Sequence, residues 1–482
     1  MSRQLTDVLG LDLRSLAVFR VCLGLLLLVD ALDRARNTVA HYTDAGVYPR
    51  DLLFDHWQKG YWSLHTLDGG AGLQLALFGL AALVAVQLIV GWRTKVAHVV
   101  GWVLLSSVQA RNPLVLQGGD DLLRLITFWS MFLPLGATWS LDAKREGDRG
   151  EVVVSAASLA FMLQLALMYW ATAILKRGPE WLPNGTAVTL ALRWETYSTP
   201  LADLMLLVPF PALKVLTYGV LVWEYLGPLL IFVPWRQQRI RLFVVVSMLL
   251  MHIGFGTTLT LGLFSFTSCA AWLALIPPVF WDRADELRER RWVPGSRVVS
   301  AFVAVLLLYV VMWNARTLAF KQVEVVFPRS INPIAYTLRL EQYWTMFAPS
   351  PPRYNTWWII EGHLDDGTVV DLYSMQPFTE ERPADISATY PGQRWRKFMF
   401  NLPAKRHMQP MAARWFRDRW EAANPDRPAV RHVRLVTMSE FTRVKGHDPA
   451  VRKAIALYTV RQDGTLERVV RPDFDVKKIR KR

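Results

Sequence analysis

Long apolar runs constrain this chain more than any other feature. Ser15–Leu32, Ala71–Val90, Val152–Leu175, Val215–Val233 and Val298–Trp313 are each as long, or nearly as long, as a helix must be to cross a ~30 Å hydrocarbon layer. Val96–Ala110, Leu122–Leu135, Leu242–Phe255 and Leu261–Ile276 are shorter, and read either as spans completed by interfacial residues or as buried helices. The pattern predicts a polytopic α-helical membrane protein of about nine spans over residues 1–315, followed by a C-terminal α+β extramembrane domain over residues 316–482.

The first run follows a polar lead, has a long apolar core and lacks a small-residue cleavage site after it, so it reads as a signal anchor. The net charge of +15 is spread over short loops and the C-terminal region rather than held in one basic tract. Membrane topology accounts for that spread, and nucleic acid is not an expected partner. With a cytoplasmic N-terminus, the loops around Arg93 and Lys95, Lys144–Arg149, Arg236–Arg241 and Arg283–Arg297 all fall on the cytoplasmic side, where Lys and Arg accumulate. An odd number of spans then leaves the C-terminal domain on the non-cytoplasmic side. Two cysteines, Cys22 and Cys269, both within apolar runs, argue against a disulfide framework and a cysteine metal site, and no metal is expected.

Beyond about Gln322 the pattern changes. "TWWIIEGHLDDGTVVDLY" alternates around Asp366-Gly367, and "ALYTVRQDGTLERVVRP" does so around Asp463-Gly464, two hairpin signatures. Between them "QRWRKFMFNL" and "MAARWFRDRWEAA" have helical spacing. Their basic faces read as solvated or facing lipid headgroups. "YWTMFAPSPPRY", stiffened by Pro349, Pro351 and Pro352, reads first as a structural strap pressed on the mouth of the bundle, with a hinge or lid as the alternative.

Charged groups within or beside apolar runs are Arg20, Asp30, Arg124 and Glu224, with His252 as a further ionisable residue. Such groups usually face a bundle interior and pair with one another. Internal ion pairs that fix helix packing explain them as readily as chemistry does, and His252 reads first as a hydrogen-bonded core histidine. Metalloprotease, phosphate-loop and nucleophile-elbow motifs are absent. Lys176 is different. It closes an apolar run, has Tyr169, Trp170 and Trp181 near it in sequence, and is followed by Arg177. Buried in apolar surroundings, a lysine loses its proton more readily and serves as a general base. At a membrane surface it snorkels and anchors the helix end. The residues alone leave both readings open.

Several stretches resemble the vitamin K-dependent γ-carboxylases and their wider relatives, the membrane proteins grouped under the horizontally transferred transmembrane (HTTM) domain. "SLAVFRVCLGLLLLVDALDRARNTVAHYTDAGVYP" is similar to that family's opening helix and following loop, and "TWSLD" at 138–142 to the close of an early span. "YWATAILKRGPEW" resembles the segment ending in the family's catalytic lysine, and "HIGFGTTLTLGLFSF" keeps its histidine, glycine and Phe-Ser spacing. "GHLDDGTVVDLY" is similar to the first hairpin of its lumenal domain.

The resemblance implies that Lys176 is the catalytic base. Its partner would be a reduced vitamin K-type naphthoquinone, menaquinol or phylloquinol, used with dioxygen and carbon dioxide to carboxylate peptidyl glutamate. It implies a quinone or substrate pocket shaped by His252, Trp181, Tyr169 and Trp170, with Asp120 and Asp121 close by. One departure stands out: Gly119 occupies the position where the carboxylases carry a histidine. The alternative is a non-enzymatic membrane factor for maturation of, or immunity to, a secreted peptide. A transporter is disfavoured by the lack of an internal repeat or of matched broken spans.

Overall fold

The computed structural model describes residues 7–146, 151–282, 292–294, 296–318 and 321–469. The basic segment Arg283–Arg291 and part of Lys144–Arg149 lie outside the described residues. The chain is mostly helical, with a sheet in its C-terminal region. In hydrocarbon, backbone donors and acceptors must be satisfied within the spanning segment, and continuous apolar helices meet that demand.

Five helices are long and apolar enough to cross a membrane: Leu13–Ala35, Ala71–Val90, Ala156–Leu175, Gln237–Thr258 and Arg297–Thr317. The expected count of nine rests on further helices that do not reach that standard. Phe210–Leu230 has the length but carries Lys214, Glu224 and the prolines Pro211 and Pro228. Thr94–Arg111, Gly118–Ser130 and Phe264–Leu273 are shorter, less apolar, or both. Gln237–Thr258 is longer than its core run Leu242–Phe255 because its polar first turn is helical too. The run Val152–Leu175 is not one element. Val152–Val154 forms a strand, and the helix starts at Ala156 behind a capping box made by Ser155 and Ser158.

The bundle has two distinct ends. At one, the short strands Leu11–Asp12, Val152–Val154 and Trp292–Pro294 form a three-stranded sheet. Arg241 donates to the Gly10 carbonyl there, at 2.7 Å, and Arg20 caps the carbonyls of Leu88 and Ile89. The basic residues Arg93, Lys95, Arg236 and Arg239 flank the helix termini on this side.

The C-terminal domain covers the other end. Its antiparallel sheet has the order Val369–Asp371, Tyr354–Leu364, Val430–Phe441, Val451–Val460, Leu466–Arg468. Both expected hairpins are present, and each turns at a glycine with φ near +90° or +80°, Gly367 and Gly464. Helices Gln393–Asn401 and Gln409–Ala423 supply Trp395, Phe398, Phe416 and Trp420 to a core shared with Ile360, Leu435 and Val436.

The basic face of Gln393–Asn401 is not solvated, contrary to its reading from sequence. Arg394 is buried between Asp30 and Asp120, at 2.5 and 2.7 Å, and Arg34 closes the network on the same two carboxylates at 2.8 and 2.6 Å. Asp30, Arg34 and Asp120 all come from the bundle. Two acids already waiting at the mouth make the position suitable for arginine.

Candidate active-site cavity

The helix Ala156–Leu175 ends where Lys176 leaves helical geometry and Gly178-Pro179 turns the chain away. The strap fixes the residues just beyond this turn. Gly178 N–H donates to the Pro349 carbonyl (2.9 Å), Trp181 Nε1 to the Phe347 carbonyl (3.0 Å), and Ser350 Oγ to Glu180 (2.7 Å). Arg353 reaches Glu180 at 3.5 Å. The proline-rich segment is therefore the strap its sequence predicts, and it holds Trp181 in place.

Lys176 does not snorkel. Its side chain is 4% exposed and forms a two-pronged ion pair with Glu224 on helix Phe210–Leu230, itself 6% exposed. The Trp181 ring lies 4.4 Å from Nζ, within cation–π range. An isolated ammonium or carboxylate is too costly to bury alone, so the pair stays together.

A cavity of about 760 Å³ opens beside this pair. Tyr169, Lys176, Trp181, Glu224 and His252 all line it, as does Gly119. Most of the remaining wall is apolar, from Val220, Leu250, Met251, Phe255 and Phe264, and Met346 and Phe347 of the strap close one side. The wall also includes Leu216 and Leu250 of helices Phe210–Leu230 and Gln237–Thr258, which are 42% and 63% exposed. Lys397 and Phe400 bound it on the C-terminal domain side.

At the inner wall a hydrogen-bond chain links Trp272, Tyr169 and His252. The Trp272 indole N–H donates to the Tyr169 oxygen at 2.8 Å, and the same hydroxyl is hydrogen-bonded to His252 Nε2. His252 Nδ1 has no partner among the described residues. Thr172 Oγ1, on a residue that also lines the cavity, is likewise unpaired. Such buried polar atoms are ordinarily satisfied by a water, an ion or a ligand.

The other residues singled out from sequence lie elsewhere. Trp170 faces outward and donates to the Tyr225 carbonyl at 3.0 Å. Asp120 belongs to the Arg34–Arg394 network, and Asp121 pairs with Arg124 at 3.0 Å. Arg124 also holds the carbonyls of Arg339 and Glu341. Arg20 and Asp30 serve helix packing and domain docking. The structure brings together Lys176, Glu224, Trp181, Tyr169 and His252, and leaves Trp170, Asp120 and Asp121 outside the cavity wall.

Sequence reasoning named Glu224 only as an intramembrane charge and missed it as the partner of Lys176. The available signal was charge balance, since a buried lysine needs a carboxylate on a facing helix. It also missed Thr172, Trp272 and Lys397. Gly119 has a packing reason: a Cβ there would meet the Phe264 backbone at 2.9 Å, so the helix start is seated against that stretch of chain.

Residues 10–281 match the HTTM domain. The chain is 25% identical over 227 residues to a Bacillus subtilis (strain 168) protein described as "Uncharacterized protein YitO", covering 44% of this chain and 70% of that one. No solved structure matches.

Proposed function

The chain belongs to the HTTM-domain family, membrane proteins related to the vitamin K-dependent carboxylases, and on that premise we propose that it is a γ-carboxylase-like enzyme with Lys176 as its base. The observation that carries this reading is the Lys176–Glu224 pair on the wall of a large, mostly apolar cavity. The cavity fits a naphthoquinol. Its volume is in the range of small-molecule sites, its wall is mostly apolar, and exposed leucines on that wall offer a surface for an isoprenoid tail. Thr172 Oγ1 and His252 Nδ1 are polar atoms available to oxygens of the ring.

The reduced quinone, with dioxygen, would supply the strong base that removes a γ-proton from peptidyl glutamate before carbon dioxide adds. The protein's own part is to receive the first proton and keep water out. Within the pair, moving one proton from Lys176 to Glu224 gives a free amine and a neutral acid with no change in net charge. That exchange is inexpensive in a dry site, where separated charges are disfavoured. Trp181 and the strap shield the amine from water. With the N-terminus cytoplasmic, this end of the bundle and its domain face away from the cytoplasm, where a secreted peptide would arrive.

The test is incorporation of labelled bicarbonate into glutamate-containing peptides, with reduced menaquinone, by the purified protein. Label in wild type and none after Lys176→Ala is the expected result; equal label in both rejects it. One observation favours the second reading, a membrane factor that handles a secreted peptide without catalysis: Gly119, where the carboxylases carry histidine, abuts the Phe264 backbone. In that case Lys176→Ala leaves function intact while loss of the C-terminal domain abolishes it.

A further inference from the structure

Three charged side chains line the cavity among the described residues: Lys176, Glu224 and Lys397. The first two neutralise each other. Lys397 has neither an ion pair nor a hydrogen bond among the described residues, and its nearest aromatic contact is Phe400, at 5.2 Å. It sits on helix Gln393–Asn401, three and four residues from Arg394 and Gln393. Residues so spaced share a helix face. That face is pressed onto the bundle, since Gln393 donates to Gln117 at 2.8 Å and Arg394 reaches Asp120. Lys397 is thereby held over the start of helix Gly118–Ser130, at the domain end of the cavity.

The nearest acids do not satisfy it. Asp120 is taken by Arg34 and Arg394, and Asp121 by Arg124. Burial pushes the Lys397 pKa below the ordinary lysine value, with Asp120 and Asp121 pulling it back. A half-buried ammonium facing an apolar cavity without an anion is an arrangement that a bound carboxylate would complete.

We propose that Lys397 is a specificity residue that receives a carboxylate of the ligand at the domain end of the cavity that the Lys176–Glu224 pair also lines. The ligand is therefore an apolar body bearing an acid, and the position of Lys397 on the extramembrane domain points to an acidic side chain of a peptide. The inference rests on the proposed function only for the reaction after binding.

The experiment uses the full chain in lipid nanodiscs and two matched pairs of probes. One pair is acetyl-leucyl-glutamyl-leucine amide and its glutamine counterpart, which differ only in the side-chain charge. The other is oleate and methyl oleate. Wild type should prefer the glutamyl peptide by about tenfold, the order of one charged hydrogen bond. Lys397→Met should lose the preference, and Lys397→Arg should keep it, which separates charge recognition from misfolding. A Lys397-dependent preference seen only with oleate supports the carboxylate site and assigns it to a lipid acid. No preference for the acid in either pair, or a preference unchanged in Lys397→Met, overturns the proposal. A Lys397-dependent preference without bicarbonate incorporation supports this site while rejecting the carboxylase reading.

Discussion

Lys176 and Glu224 define each other. Removing one partner of a buried ion pair leaves an uncompensated charge, so Lys176→Met should destabilise the bundle by about 3 kcal/mol or more, read as thermal unfolding in detergent. Lys176→Met combined with Glu224→Leu should recover most of that loss, because both charges are then gone. If the double variant is no more stable than the single one, the two side chains are not coupled. Gly119 gives a second residue-level test. Gly119→Ala should be destabilising, since its methyl would press on the Phe264 backbone at 2.9 Å, and Gly119→His should not supply the carboxylase histidine without moving that segment. Lys176 was legible in sequence because an apolar run stops there and a proline stands three residues later. Its partner was not, because which carboxylate faces it depends on how two helices separated by a long connection pack.

Elements dock through buried polar contacts as much as through apolar ones. Helix Gln393–Asn401 is fastened by Arg394, so Arg394→Ala should strand Asp30, Asp120 and Arg34 with one positive charge too few. The expected result is faster protease cleavage between the bundle and the domain, with the domain's own sheet intact. A weaker contact adds a pH dependence. His56 and His407 stack at 4.0 Å, and the His407 pKa lies below its ordinary value through burial, then through His56 and Lys405. A histidine with a lowered folded-state pKa contributes fully above its unfolded value of 6.5, and the contribution is lost as pH falls through the lower folded value. Thermal stability should therefore fall as the pH drops from 6.5 to the lower folded value, and fall less in His407→Asn. The spans and hairpins could be read in advance because apolar length and Asp-Gly turns are local signals. The strand Val152–Val154 was merged into a span because hydropathy does not separate β-branched residues from helix, although Ser155 marked the boundary. The buried basic helix could not be read, since its composition is that of a solvated one until Asp30 and Asp120 are placed beneath it.

At the scale of the molecule, a helical membrane unit is closed at one end by a small sheet and at the other by a domain that also walls the cavity. The cavity wall combines exposed leucines with Lys397 and Phe400 of the C-terminal domain. The proposed function needs one reactant from the bilayer and another from the aqueous side. The measurement that reaches its first step is naphthoquinol consumption under oxygen, with an acidic peptide present, compared between wild type and Lys176→Met. General-base catalysis is worth roughly 10²–10⁴-fold, so turnover is expected in wild type and a loss of at least about a hundredfold in the variant. Equal rates in the two proteins would contradict a lysine base.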